Sequence, residues 1–337
     1  MDFTRRNHVL FENSGAHFTN ARLTWYNIGG NALRLRRRFP FREGFQGRSE
    51  ARPLPTTPTG VNRYMSAQPI FVRTRNDVFQ ELEALKRSRQ KRRKSRTFFV
   101  EGVRNLNAAR KYGWTFEGFI YDASRALSGW ARDLMDEAGQ AQRYAVTPEL
   151  MAELSDRENA SELAALVRMR EDDPRALKLS DPPLLAAFDR PSNRGNLGSV
   201  LRSCDAFGVD VLLMMGHGVE LYDPEVLLAG VGSCFAVPCC EMEGPELEQY
   251  IGWLRERYEG FQLVGTTSHH AVPLMEVDFT RPTLVMIGNE QTGMSARFRE
   301  MVDVAATIPM ADGCFASSFN AACAATTILY EAVRQRR

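Results

Sequence analysis

Short apolar runs alternate with amphipathic stretches over most of the chain, and this alternation predicts an α/β protein. The pattern starts at Asn76–Asp77, an N-cap signal, after which Val78, Phe79, Leu82 and Leu85 recur at helical spacing. Strands are expected at Thr97–Val100, Phe116–Tyr121, Arg143–Val146 and Leu163–Val167. Helices are expected at Val103–Tyr112, Ala126–Glu137 and near Glu149–Leu154. Charge and proline then interrupt the pattern at Glu171–Pro174 (EDDP) and Ser180–Pro183 (SDPP), where a domain boundary is expected.

Beyond that boundary the alternation resumes. Strands are expected at Leu184–Phe188, Val209–Met214, Phe235–Val237, Gln262–Gly265, Leu284–Ile287 and Val304–Ile308. Helical patterns lie at Leu197–Phe207, Pro245–Tyr258, Ala296–Met301 and about Phe319–Arg334. Strands that alternate with helices argue for a parallel sheet covered on both faces. Residues 1–65 show no lasting period, and Pro53–Gly60 (PLPTTPTG) is built of turn formers. The expected organisation is a basic, disordered extension over 1–65, one α/β unit over 66–176 and a second over 181–337.

Charge sharpens this picture. The whole chain carries +2, but residues 1–65 hold eleven arginines against four acids. Residues 86–96 (KRSRQKRRKSR) hold eight basic residues and no acid, and the remainder is acidic. A basic block points to a polyanion such as nucleic acid, or else to a solvated helix end or a targeting segment. For 1–65 three readings fit: a transit peptide, an RNA-binding arm, or a natural start at Met65. Composition, 44% apolar and 25% charged, excludes a chain disordered throughout, a collagen and a disulfide scaffold. No apolar run approaches the roughly 18–20 residues that span a bilayer, and no secretory signal is visible. Six cysteines, with Cys239 and Cys240 adjacent, read as reduced thiols of a cytoplasmic protein.

Three segments of the second half are unusual as packing. Asn193–Gly208 (NRGNLGSVLRSCDAFG) follows a strand and opens a helix that contains Arg202. Ile287–Ser295 (IGNEQTGMS) places Gly288, Asn289, Glu290 and Gly293 at the carboxyl end of a strand, where ligands bind in open α/β sheets. Ile308–Asn320 (IPMADGCFASSFN) leads into a helix rich in small residues, with Ser318 and Asn320 positioned to cap it. Taken singly, each has a plain structural reading: a strand-to-helix turn, a solvated glutamate, a close helix contact.

In this order and spacing the three segments resemble the SpoU (TrmH) family of RNA ribose methyltransferases, of the SPOUT superfamily. The resemblance covers about 184–335, and more weakly 76–170, where Phe98–Leu106 (FFVEGVRNL) looks like the family's substrate-binding domain of ribosomal-protein type. It implies a deep trefoil knot, S-adenosylmethionine as cofactor, and a homodimer whose active site borrows residues from both subunits. It assigns catalysis to Asn193, Arg202, Glu290, Ser318 and Asn320. It assigns the cofactor to Gly265, Thr266, Ile287, Gly288, Asn289, Gly293, Ile308, Met310, Ser317, Ser318 and Phe319. RNA contacts are expected from Lys86, Arg87, Arg89, Lys91, Arg92, Arg93, Lys94, Arg96 and Arg104. Two departures stand out: Ala322 occupies the place of a frequent second serine, and the segment around 230–234 reads GVGSC.

The chemistry suits these residue types. Methyl transfer needs in-line approach, so positioning dominates. Arg202 can stabilise the developing alkoxide and hold a phosphate; whether it also takes the proton is open, because arginine normally stays charged. Ribosomal RNA is favoured over transfer RNA. Rival readings are an RNA-binding protein of the same fold that does not methylate, and an enzyme that methylates a base nitrogen. A dinucleotide-binding oxidoreductase lacks its fingerprint, since Gly216-His217-Gly218 is followed by Leu221 where the third glycine belongs. No zinc site is expected: no C-x-x-C occurs, and His269–His270 lacks cysteine partners.

Overall fold

The computed structural model describes residues 68–155, 159–267 and 271–337. The 1–65 extension, with the Met65 start, and the His269–His270 pair lie outside the described residues. Two sheets organise the rest.

The first sheet holds β1 (Ile70–Val72), β2 (Thr97–Glu101), β3 (Phe116–Asp122), β4 (Gln142–Val146) and β5 (Leu163–Arg168), in the order β1-β4-β3-β5-β2. β1, β4 and β3 run parallel, while β5 is antiparallel to both β3 and β2. Its helices are α1 (Asp77–Arg87), α2 (Arg89–Ser95), α3 (Val103–Lys111), α4 (Gly129–Glu137) and α5 (Pro148–Leu154). Asn76 caps α1 as its position implies, accepting from the Phe79 amide at 3.0 Å. The basic run forms the end of α1 and a separate helix α2, because Ser88 closes one helix and caps the next.

The second sheet is wholly parallel. It comprises β6 (Leu184–Asp189), β7 (Leu212–Met215), β8 (Cys239–Met242), β9 (Gln262–Thr266), β10 (Val272–Pro273), β11 (Thr283–Ile287) and β12 (Val304–Thr307), in the order β10-β12-β9-β11-β6-β7-β8. Its helices are α6 (Arg194–Ala206), α7 (Pro224–Gly230), α8 (Ser233–Ala236), α9 (Gly244–Arg257), α10 (Ala296–Met301) and α11 (Ala321–Gln335). Alternate residues of β6 enter opposite cores: Leu184, Ala186 and Phe188 pack on the α6–α11 side, Leu185 and Ala187 on the α9–α10 side. A strand buried on both faces explains the unbroken apolar runs.

Three sequence expectations need correction. Phe235–Val237 is not a strand; Phe235 sits in α8, and the strand is Cys239–Met242. A short apolar run does not distinguish the two states. Structure also begins before Asn76, with β1, and β7 starts at Leu212 rather than Val209. All six cysteines are free. Burial pushes the Cys204 and Cys240 thiols up to about 12, so they act as packing groups. Among the described residues, no helix is long and apolar enough to cross a membrane.

Candidate active site

The order of the second sheet creates a crevice. From β6 the chain builds outward through β7 and β8, then crosses to β9 and returns to β11 beside β6. The loops after β6 and β11 therefore leave neighbouring strands in divergent directions, the position where α/β sheets take ligands. The loop after β6 carries Ser192 and Asn193; the loop after β11 carries Gly288–Gly293.

Glu290 joins them. Its Oε2 accepts the Ser192 amide at 2.9 Å and the Ser192 hydroxyl at 2.7 Å. Its Oε1 accepts the Asn193 amide at 3.1 Å and Asn196 Nδ2 at 3.2 Å. Burial on its own would raise the carboxyl pKa; the bonds from Ser192 and Asn196 outweigh it and hold the group below the usual carboxylate range. With four donors on two oxygens, Glu290 is a brace between loops rather than an open proton acceptor.

Asn193 is the N-cap of α6, its side chain accepting the Asn196 amide at 2.9 Å. Asn196 Oδ1 in turn accepts Asn320 Nδ2 at 3.0 Å. Asn320 caps α11 by accepting the Ala322 and Cys323 amides at 2.9 and 3.3 Å. The expected cap from Ser318 is corrected: Ser318 stands exposed, and Asn320 provides the cap. Farther along, the Ser203 and Thr326 hydroxyls meet at 2.7 Å and tie α6 to α11.

The β11 loop is closed on itself. Asn289 and Gly293 exchange backbone hydrogen bonds at 3.1 and 3.0 Å. Asn289 Oδ1 accepts the Gln291 and Thr292 amides, and its Nδ2 donates to the Arg190 carbonyl at 2.7 Å. Gly288 is required there, since a Cβ would stand 2.6 Å from the Met294 nitrogen. Two expected cofactor residues prove to be interior. Ile287 is 2% exposed, and a Cβ on Gly265 would collide with Val302 and Met294 at 2.5 and 2.8 Å. Thr266, Ile308 and Met310 are half-buried at the open edge, and Ser317, Ser318 and Phe319 are exposed.

Arg202 lies on the exposed stripe of α6. The carboxylates that would pair with it are engaged elsewhere: Asp205 accepts the Ser233 hydroxyl at 2.9 Å, and Glu290 is filled as described. Among the described residues Arg202 forms no ion pair. It stands nine residues beyond the cap, roughly 13 Å along the helix axis.

The basic segment divides in two. Lys86 and Arg92, expected at RNA, are buried, at 6% and 2% exposure. Lys86 Nζ donates to the Leu154 carbonyl, and Arg92 pairs with Glu220 at 2.6 Å. Arg89 donates to the Gly218 carbonyl at 2.8 Å. Arg87, Lys91, Arg93 and Arg96 pair with Glu83, Glu81, Glu241 and Glu171. Lys94 and Arg104 are exposed. Much of the positive charge in this run is thus neutralised by acids that the fold brings alongside.

Sequence reasoning missed Ser192 and Asn196 as site residues. The signal available for Asn196 was its spacing of three from Asn193, one helical turn into the same cap.

Residues 183–330 match the SpoU rRNA methylase family, and residues 76–165 match the SpoU L30e-like domain. The chain is 40% identical over 267 residues to the 23S rRNA (uridine(2479)-2'-O)-methyltransferase of Streptomyces viridochromogenes, covering 79% of this chain and 92% of that protein. The structure resembles that of the SpoU methyltransferase AviRb from Streptomyces viridochromogenes in complex with AdoMet. Its TM-score is 0.72 at 40% identity, over 78% of this chain and 98% of that one. An AdoMet-bound rRNA methyltransferase from Sinorhizobium meliloti gives a TM-score of 0.70 at 25% identity, over 80% of this chain and 98% of that one.

Proposed function

The chain belongs to the SpoU rRNA methylase family, and on that footing we propose that it transfers a methyl group from S-adenosylmethionine to a ribose 2′-hydroxyl of structured RNA, ribosomal in preference to transfer RNA. The observation that carries this reading is the convergence of three distant segments on one brace, Glu290–Asn196–Asn320, at the carboxyl edge of a parallel sheet.

The open edge fits the cofactor. β11, β9 and β12 are neighbours, so Thr266, Gly288–Gly293 and Ile308–Phe319 leave the sheet side by side. They offer backbone donors and acceptors, hydroxyls and the apolar Ile308 and Met310, a set suited to adenosine and a methionine chain. When bound, the cofactor supplies an electrophilic methyl group on a sulfonium. The chain's own residues do the remainder. The Glu290 brace fixes the turn at Ser192–Asn193 against the β11 loop, and Arg202 presents a planar cation to the hydroxyl oxygen as negative charge develops. Holding the reacting atoms in line accounts for most of the acceleration.

The rest of the reading follows the same division. Residues 66–176 grip RNA and 181–337 transfer the methyl group, with the trefoil knot of the family in the C-terminal loops. The enzyme works in the cytoplasm as a homodimer. Leu228, Phe319 and Tyr330 are large apolar side chains 46–56% exposed on α7, at the entry to α11 and on α11, which supports a second copy on that side. A partner also supplies what the distance from Asn193 to Arg202 leaves open within one chain. Calorimetry with S-adenosylmethionine tests the proposal: one site per chain is expected, and no binding of either the cofactor or its demethylated product would remove it.

A further inference from the structure

The Arg92–Glu220 pair lies outside the crevice and is buried on both sides, at 2% and 4% exposure. Arg92 Nε and Nη2 donate to Glu220 Oε2 at 3.1 and 2.6 Å. Its Nη1 donates to the Leu85 and Lys86 carbonyls at 3.2 and 2.6 Å, closing the end of α1. One side chain thus ties the first sheet's helices to the segment between β7 and α7. That segment in turn meets the turn after β6. The Val219 amide donates to the Pro191 carbonyl at 2.8 Å. Gly218 presses so close that a Cβ would stand 2.5 Å from the same oxygen. Pro191 precedes Ser192 and Asn193, whose amides hold Glu290.

A buried ion pair is a poor means of adding stability, because desolvation cancels most of the attraction. This one is also incompletely satisfied: Glu220 Oε1 is buried without a partner. What such a pair supplies is direction. An apolar contact at this junction would tolerate sliding; a guanidinium held by two carbonyls and a carboxylate does not.

We infer that Arg92 and Glu220 are positioning residues that hold the RNA-gripping unit in register with the turn Pro191–Asn193, so that RNA bound on one reaches the methyl group held by the other. This rests on the proposed methyltransferase reading. Both side chains are buried rather than presented to RNA.

The test uses full-length Glu220→Gln and the double variant Arg92→Met/Glu220→Met. Turnover on RNA should fall roughly tenfold in both, with KM for RNA and cofactor affinity within about twofold of wild type. Hydrogen exchange without RNA or cofactor should quicken roughly tenfold at the Val219, Ser192 and Asn193 amides. The double variant should keep the wild-type melting temperature, because an apolar pair of similar volume replaces the ion pair. A double variant with wild-type turnover and exchange would reduce the pair to packing. One that does not fold would make it a stability element, and either result overturns the inference. If Glu220→Gln fails to fold, the double variant decides by the same readouts. A wild-type protein that does not methylate would refute the function, while the exchange result still tests the coupling.

Discussion

Asn320 donates from Nδ2 to Asn196 Oδ1 at 3.0 Å across 124 positions of sequence. Asn196 passes the connection on, giving its own Nδ2 to Glu290. One neutral side chain therefore links the start of α6, the start of α11 and the loop after β11. Asn196→Ala removes both bonds and leaves Glu290 short of a donor. With about 1–3 kcal/mol for each stranded group, methylation should fall roughly 10–100-fold in single-turnover assays. Asn196→Asp should fall further, since a carboxylate would face Glu290.

Glu290 gives a pH prediction. Its folded pKa lies below the ordinary 4.5. A depressed carboxyl pKa contributes stability that is full above the unfolded value and is lost as pH falls through the folded one. The difference in melting temperature between wild type and Glu290→Gln should therefore be constant near neutrality and shrink below about pH 4.5. Calorimetric scans from pH 7 to strongly acid conditions measure it; a difference that grows on acidification would contradict the bracing role.

The basic segment yields opposite outcomes for neighbouring residues. Arg92→Ala strands a buried carboxylate and should cost about 3–5 kcal/mol of stability. Lys94→Ala with Arg104→Ala should leave the melting temperature unchanged and weaken RNA binding. The salt slope should fall by roughly 0.7–0.9 log units for each phosphate no longer neutralised. Filter binding across a salt series separates the two classes.

Gly198 sits where α6 meets α7. A Cβ there would come 2.5 Å from the Ala229 Cβ and 2.8 Å from the Gly230 nitrogen. Gly198→Ala should destabilise the protein by about 1–3 kcal/mol through overpacking, and thermal unfolding would show it.

The fold was legible where periods were long or runs were fully buried. Val78, Phe79, Leu82 and Leu85 marked α1, and the unbroken run Leu184–Phe188 marked a strand covered on both faces. It was not legible at Cys239–Met242, where Glu241 is exposed and the strand has four residues. The site was legible as three segments, because glycine, asparagine and glutamate at a strand's carboxyl end have few packing uses. Their pairing was not. Only the sheet order sets β11 beside β6, and only that neighbourhood sends Glu290 to Ser192 rather than to Arg202. The basic run misled for the same reason: Glu220 lies 128 positions from Arg92, and nothing local to either marks the pair.

The most direct test is a map of 2′-O-methylation across ribosomal and transfer RNA in a strain lacking the gene, restored with wild type or with Arg202→Ala. A ribosomal ribose mark that wild type restores and Arg202→Ala does not is the expected result. The purified variant should bind S-adenosylmethionine as wild type does, because a group used mainly in the transition state adds little to ground-state binding. An Arg202→Ala strain with the mark fully restored, or no mark that depends on the gene, would contradict the methyltransferase reading.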